Sequence, residues 1–577
     1  MIDTVTAVAP ALGVRIGRLG GTQDGAIVLQ AMDEGARGYP RELILLAVQV
    51  QVQVQATADG PVPRVQRPSG LPPFCAADLC SAACVRHRNT SKDGLYRLPL
   101  PGNVWPTEPA AAEPGGHLLL LLLYNQAPGV PGASSLPPGH LHLPYSDATL
   151  ADELNALLAR EDARSLGGGL IRRCVVPTPE PAAAITLLLA SCHYPHDVLD
   201  RMPHIADPEV GPADASMFAL ARVLDALPTP ALLLLAGDQV YVDATAGLFD
   251  PASRDDLFGR PYALAGASPG SQAALQRTQL LVQRLIDDHE ISDNWQRGDA
   301  DHDTATAALP SRVQLGIEAF WRHQRLMPAS PEPDWRRRKA WQTQAIWFEA
   351  PFHGRSIFYG DTRTERQARK AEDFSTRQIM GAAQHDALRA WLLQHAATPG
   401  PKFIATPAML LPRRLAARRH PAAALHCDTW EGYPLSLHSL LAFVCQHQIA
   451  ELVFLSGDEH LSCIARADIA EIGGSRQCVI HSIHSSALYA PYPFANAGEA
   501  DFAHSECFEF ADPVHSALRY RCRVQTWFAP PGDGFAVITA PASGPLSVAF
   551  HGAEGAKPGA SFVLPLELHL ETPDLSR

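Results

Sequence analysis

RLIDDHEISDNW, residues 284–295, runs from the end of an apolar stretch into four carboxylates and a histidine, and a tryptophan closes it. A stretch this acidic is either a solvated turn or a place that binds something positive. Crowded carboxylates repel one another unless a cation sits among them. The choice between these readings rests on what the rest of the chain places around it.

Three other stretches share its plan. AAITLLLASC (183–192), PALLLLAGDQVY (230–241) and ELVFLSGDEH (451–460) are unbroken apolar runs, the pattern of strands buried on both faces. ASMFALARVLDAL (215–227) and AAQHDALRAWLLQH (382–395) carry helical spacing between them. Alternating strands and helices predict an α/β domain with its chemistry at the carboxyl ends of the strands.

The N-terminal part has another texture. RELILLAVQVQVQVQATADG (41–60) alternates Val and Gln with period two, and LLLLLLY (118–124) reads as a buried strand. The expected division is a β-rich domain over 1–125, a linker and helix over 126–182, and the α/β domain with a β-rich C-terminal segment over 183–577. The helix is ATLADELNALLARED, and the last strands are YRCRVQTWFA, GFAVITA, PLSVAFHG and FVLPLELHL.

At 577 residues, with 46% apolar and 19% charged, the chain can bury more than one core. Its net charge of −13 argues against a nucleic-acid or anionic-membrane surface. No apolar run approaches the roughly 20 residues of a membrane span. The 11 cysteines, an odd number in a large chain, suggest reduced thiols. Cys75, Cys80 and Cys84 lack a fourth ligand and read as packed thiols. With no signal peptide or twin arginine at the N-terminus, a cytoplasmic location is expected.

Each buried strand ends in potential metal ligands: Cys192, His193 and Tyr194; Asp238 and Tyr241; Asp287, Asp288, His289 and Glu290; Asp361 with Arg363 and Arg366; Asp458 and His460. A single Gly-Asp after a strand is a common turn. Five such ends in one domain, gathered at one end of a parallel sheet, would need cations to hold them together. Asp, His, Tyr and Cys together suit an iron-like metal beside a harder oxygen-bound ion. Two such ions, roughly 3.5–4 Å apart, can clamp a phosphate ester and generate hydroxide from water.

The order ASCHY, GDQVY, DDHE, DTRTER, DTWEGY, GDEH resembles the PhoD-like branch of the calcineurin-like metallophosphoesterases, the alkaline phosphatase D group, over residues 183–495. That resemblance implies a four-layer αββα sandwich preceded by a small β-sandwich-like domain. It implies a phosphomonoesterase or phosphodiesterase using a dinuclear metal-bound hydroxide, with Fe3+ and Ca2+ and a small phosphate ester as substrate. It places Cys192, Tyr194, Asp238, Asp288, Asp428, Asp458 and His460 as metal ligands, His289 as general acid and Glu290 as the carboxylate orienting it. Asn294 is the alternative to Asp288 at the second metal. Arg363 either grips the phosphate or shares an internal salt bridge with Arg366.

The chain departs from that family's pattern in lacking a twin-arginine export signal and in carrying Thr406-Pro407 where a polar pair is expected. A phosphatase-fold protein without turnover, serving as a binding or scaffold module, is the alternative function. GASPG (266–270) matches a serine-hydrolase pattern, but Pro269 cannot supply the backbone N–H that an oxyanion hole needs. WRRRKAW (335–341) reads as a solvated loop.

Overall fold

In the computed structural model of the chain, two mixed sheets carry the strand ends read from the sequence. Side chains are described for residues 184–194, 213–227, 231–243, most of 258–296 and 311–325, and nearly all of 345–491 and 498–566. Before residue 180 the description covers strand pairing and the side chains of Pro73 and Cys75.

The parallel strands of the first sheet are β1 (Ala184–His193), β2 (Ala231–Ala236) and β3 (Leu280–Leu285), with Leu232 between Leu187 and Leu281 in register. Antiparallel Phe535–Pro541, Leu546–Gly552 and Gly555–Leu564 extend the other flank of β1. The second sheet has β4 (Ile357–Tyr359), β5 (Lys402–Ala405), β6 (Leu452–Ser456) and β7 (Gln477–His484) in parallel order. Cys463–Glu471, Arg519–Phe528 and Ser505–Ala511 continue it antiparallel.

The continuous apolar runs are explained by what each strand face touches. Leu187 and Leu189 of β1 and Leu232 and Leu234 of β2 join one core cluster with Phe403 and Ala405 of β5 and Val453 and Leu455 of β6. That cluster draws side chains from both sheets. The alternate residues Leu188, Ala190, Leu233 and Leu235 pack instead with Met217 and Leu220 of α1 (Ala215–Ala226). On the second sheet, Phe358, Ile404, Leu452 and Phe454 pack with α2 (Ala382–His395) and α3 (Pro434–Gln446). Neither face meets water, so no polar alternation is needed. Each Leu-sized side chain so buried contributes about 1.5–3 kcal/mol.

The five ligand-bearing ends therefore do not lie along one sheet, as the sequence pattern suggested. Those of β1, β2 and β3 belong to the first sheet, and those of β4 and β6 to the second. They meet because the two sheets share a core and their parallel strands end on the same side, where side chains from both converge on Asp238 and Asp458.

The N-terminal region pairs as two antiparallel sheets. One contains the expected strands Arg41–Thr57 and Gly115–Asn125 in register, with Ile171–Val175 added beyond them inside the stretch read as linker and helix. The helix over 148–162, most of the linker and WRRRKAW fall outside the described residues. Cys75 is exposed, not packed, and Cys80 and Cys84 have no described side chains. No described helix is long and apolar enough to cross a membrane.

Close approach of the two sheets at their ligand-bearing end depends on Gly457. A Cβ there would run into the Ser191 side chain at the end of β1. Gly457→Ala is expected to lower unfolding free energy by about 1–3 kcal/mol, and Ser191→Gly in the same molecule to restore part of it. Denaturant titration checks this; no loss in the single variant would show that the sheets do not meet this tightly.

Candidate metal centre

Backbone conformation marks the site before any side-chain chemistry does. Cys192, Asp238, Asp458 and His460 have positive φ, at 49°, 54°, 94° and 39°. A non-glycine residue held there costs on the order of 1–3 kcal/mol and persists only where surrounding structure over-determines it. Four such residues, each at a strand end and each among the expected ligands, point to a shared purpose. Crossed backbone bonds fix the strand ends: Cys192 N–H donates to Gly237 O at 3.1 Å, His193 N–H to Asp238 O at 2.9 Å, and Val242 N–H to His289 O at 3.0 Å.

The side chains of Asp238, Asp287, Asp288 and Asp458 converge with one oxygen from each within 4.8 Å of the others, all buried; Asp238, Asp288 and His289 make a second, overlapping group. Asp287, a potential ligand by its strand-end position but outside the set that the resemblance implies, joins them here. Its Oδ2 is buried and accepts no hydrogen bond, and Asp288 Oδ1 likewise accepts none and lies 3.4 Å from Arg363. Burial and then the Asp288 charge push the Asp238 carboxyl well up; burial and then Asp287 do the same to Asp458. Burial pushes Asp287 up to about 7, with Arg363 opposing and Asp288 adding to it. Asp288 behaves oppositely: burial disfavours its charge, but Arg363 and His289 outweigh this and hold it below the usual range. One cation cannot satisfy every carboxylate, so the carboxylates divide into ionised and proton-holding members.

Cys192 lies at the edge of this group, its Sγ 3.4 Å from Asp238 Oδ2 and fully buried. Burial, then Asp238 and Asp458, push its thiol well up, so binding a cation would mean displacing that proton. Tyr194 is buried with its ring centroid 5.2 Å from that of Tyr241, and burial raises its phenol. Asp458 is tied to β1 by its N–H, which donates to Ser191 Oγ at 3.4 Å. Beside His460, the buried His484 is held neutral, its pKa lowered to about 3 by burial and then by His460. His484 Nε2 accepts the Glu459 N–H at 3.2 Å, so Nδ1 carries the proton and donates to Ser456 Oγ at 2.8 Å.

His289 and Glu290 are adjacent in sequence but do different work. The carboxylate on His289 is Asp243, 2.9 Å from Nδ1, and the imidazole packs at a tilt against Tyr241 with centroids 4.3 Å apart. Burial disfavours the imidazolium, yet Asp288, Asp238 and Asp243 overcome it and raise its pKa. Glu290 instead accepts the N–H groups of Asp238, Gln239 and Asp287 at 3.1, 2.8 and 2.8 Å, and Gln324 Nε2 at 2.8 Å. Both its oxygens are committed to joining the GDQ turn to the DDH turn, and the carboxylate that contacts His289 is that of Asp243. The signal for Asp243 was slight: one more carboxylate in GDQVYVD.

Arg363 is also corrected. Its guanidinium is fully buried and donates to Asp287 at 2.7 Å, to Trp295 O at 3.3 Å and to Asp428. Arg366 donates to the other Asp428 oxygen and to Thr362 O at 2.6 Å. These arginines lie beneath the carboxylates as an internal ion network, with no donor face turned to a substrate phosphate. Asp428, with both oxygens on guanidinium groups, stays outside the carboxylate group; burial opposes its charge, but Arg363 and Arg366 hold it well below the usual range. Asp361 accepts the N–H groups of Arg363 and Thr364 at 2.9 and 2.8 Å, which shapes the turn.

Asn294 is exposed, and its side chain donates to Asp293 at 3.1 Å, while its backbone N–H donates to Asp288 at 2.6 Å. The geometry favours Asp288 over Asn294 as the inward group. Thr406 turns its hydroxyl onto Ala408 O at 3.0 Å, and Pro407 O accepts the Gly457 N–H, so the Thr-Pro pair ties β5 to β6. Ser268 of GASPG caps the helix Pro269–Leu275 and donates to Asp214.

The profile of the PhoD-like phosphatases matches residues 214–514, which hold Asp238 through His460 but neither Cys192 nor Tyr194. No curated protein matches the sequence. Among solved structures, one titled "Structure of PhoD" superposes with a TM-score of 0.52 at 13% identity, covering 97% of this chain and 91% of that one. At that identity the likeness is one of fold.

A carboxyl whose folded pKa lies above its unfolded value contributes stability that is present below the unfolded pKa and lost as pH rises through the folded one. For Asp287 that window runs from about 4 to about 7. In metal-free protein, the unfolding free energy of wild type minus that of Asp287→Asn is expected to fall as pH rises through this window. A flat or rising difference in denaturant titrations would show that Asp287 is not held protonated by its surroundings.

Proposed function

The chain belongs to the PhoD-like phosphatase family, and on that premise we propose that it hydrolyses phosphate mono- or diesters at a dinuclear metal site. The observation that carries this reading is the group of four buried carboxylates with Cys192 against Asp238. The donors fit such a centre: buried oxygens without hydrogen bonds beside a thiol and a phenol. Cys192 and Tyr194 would suit a ferric ion and Asp287, Asp288 and Asp458 a hard ion such as Ca2+, with Asp238 and His460 completing the set. We assign Asp287 in place of Asp428. When bound, the metals would supply hydroxide at neutral pH and neutralise the ester's charge.

The chain's own residues do the rest. His289, its Nδ1–H held by Asp243 and its imidazolium favoured by the surrounding carboxylates, presents the Nε2 proton to the leaving oxygen. Glu290 holds the Asp238 and Asp287 turns at a constant separation. Arg363 and Arg366 act as positioning residues for Asp287, Asp288 and Asp428.

The shared core between the sheets, with helices on the outer face of each, supports a four-layer αββα arrangement. The division at 125 and 182 completes the reading, with the N-terminal strands forming a separate β-rich domain.

Chromogenic phosphate mono- and diesters, with and without chelator, test the proposal. We expect chelator-sensitive turnover and a visible absorption band from ferric-tyrosinate. Asp238→Ala should lose both activity and band. Asp243→Asn should keep the band and lower kcat by roughly 10²–10⁴-fold, the usual worth of a general acid. Turnover that persists in Asp238→Ala or survives complete metal removal would contradict the mechanism.

A further inference from the structure

The contact between His289 and Asp243 joins two turns, and the residues that make it stand 46 positions apart in the chain. The first residue of the helix Arg312–Ala319 reaches both turns. Arg312 Nε donates to Ile291 O, two residues after His289, and Arg312 Nη2 donates at 3.3 Å to Val242 O, one residue before Asp243. Nε and Nη2 share one edge of the planar guanidinium, so a single rigid group spans the two carbonyls. A ring of contacts results. Val242 N–H donates to His289 O at 3.0 Å, Asp243 Oδ1 lies 2.9 Å from His289 Nδ1, and Arg312 closes the ring between Val242 O and Ile291 O.

The helix that carries Arg312 is itself fixed against the same backbone. Its start is a capping box, in which Ser311 Oγ accepts the Gln314 N–H at 3.2 Å and Gln314 Oε1 accepts the Ser311 N–H at 2.9 Å. One turn on, Gly316 brings the helix against the DDHEI segment: a Cβ there would stand 2.7 Å from Ile291 Cγ1 and 3.1 Å from Glu290 O. Past Ala319 the helix widens into a π turn, Phe320–Gln324, where Arg325 N–H donates to Phe320 O at 3.0 Å. Gln324, at the end of that turn, is the residue that donates to Glu290 Oε1 at 2.8 Å. Both ends of this helical segment therefore grip the turn that carries His289.

We propose that Arg312 is a positioning residue for the general acid: by fastening Val242 to Ile291 it keeps the Asp243 carboxylate on His289 Nδ1. The proposal rests on the reading of His289 as the group that protonates the leaving oxygen. Glu290 ties the ligand ends of the same two turns through the N–H groups of Asp238, Gln239 and Asp287. Loss of Arg312 thus loosens the acid's end and leaves the carboxylate group in place. A lysine there carries one ammonium on a flexible stem and holds the two carbonyls less rigidly.

Two measurements on the full-length protein, comparing wild type with Arg312→Gln and Arg312→Lys, test this. Hydrogen exchange read by mass spectrometry should speed at the Val242 amide by about tenfold in Arg312→Gln, the worth of about one hydrogen bond, with the amides of Leu452–Ser456 unchanged. In steady-state turnover, Arg312→Gln should lower kcat on an alkyl phosphate by roughly 10²-fold or more, because an alkoxide needs the acid's proton. Nitrophenyl phosphate, whose leaving group departs as the anion, should lose little kcat, and KM for both esters should hold. The visible absorption band should remain, and Arg312→Lys should recover part of the lost rate. Unchanged exchange at Val242 overturns the proposal, and so does an equal slowing of both esters. A wild type that hydrolyses neither ester removes the phosphatase reading and this proposal with it; a wild type that turns over, beside an Arg312→Gln without the selective loss, overturns this proposal alone.

Discussion

Four buried carboxylates, Asp238, Asp287, Asp288 and Asp458, and half-buried Asp428 beneath them are opposed by two guanidinium groups, Arg363 and Arg366. That leaves three negative charges without an arginine. Buried carboxylates with unmatched charge must take protons or bind cations. Without a cation the directions are mixed: Asp238, Asp287 and Asp458 shift up, while Asp288, under Arg363 and His289, and Asp428, under Arg363 and Arg366, shift down. The same imbalance suits the site to a metal ion. Arg363 and Arg366 limit the repulsion enough for the chain to fold, but do not cancel it.

The rest of the architecture follows from holding these groups together. Two sheets share a core, so the ends of β2 and β3 come to face the end of β6. Gly457 permits the approach, and positive φ at Cys192, Asp238, Asp458 and His460 turns side chains inward that an ordinary strand exit would direct elsewhere. Glu290 and Ser191 then fix the separations by accepting backbone N–H groups on their buried side-chain oxygens.

Much of this was legible in the residues. Strands buried on both faces announce themselves as unbroken apolar runs, and β1, β2 and β6 lie where those runs are. The candidate ligand positions could be picked out because they immediately follow such runs. Sequence reading fails where a role depends on a partner distant in the chain. Nothing in the spacing of GDQVYVD reveals that Asp243 reaches His289, and the adjacency of Glu290 to His289 suggested a contact that a turn of backbone redirects. Arg363 and Asp428 mislead for the same reason. Each looks like a site residue by its neighbours, yet they satisfy one another beneath the carboxylates. The distribution of ligand strands over two sheets was equally hidden, because an apolar run does not record which sheet it joins.

The central claim is that carboxylate repulsion is held in check by bound cation. Thermal unfolding of wild type and Asp458→Asn, each metal-free and metal-loaded at neutral pH, tests it most directly. Removing one charge should make the metal-free variant more stable than the metal-free wild type, and metal should stabilise wild type far more than the variant. A metal-free wild type as stable as its loaded form, with Asp458→Asn less stable in both states, would contradict it.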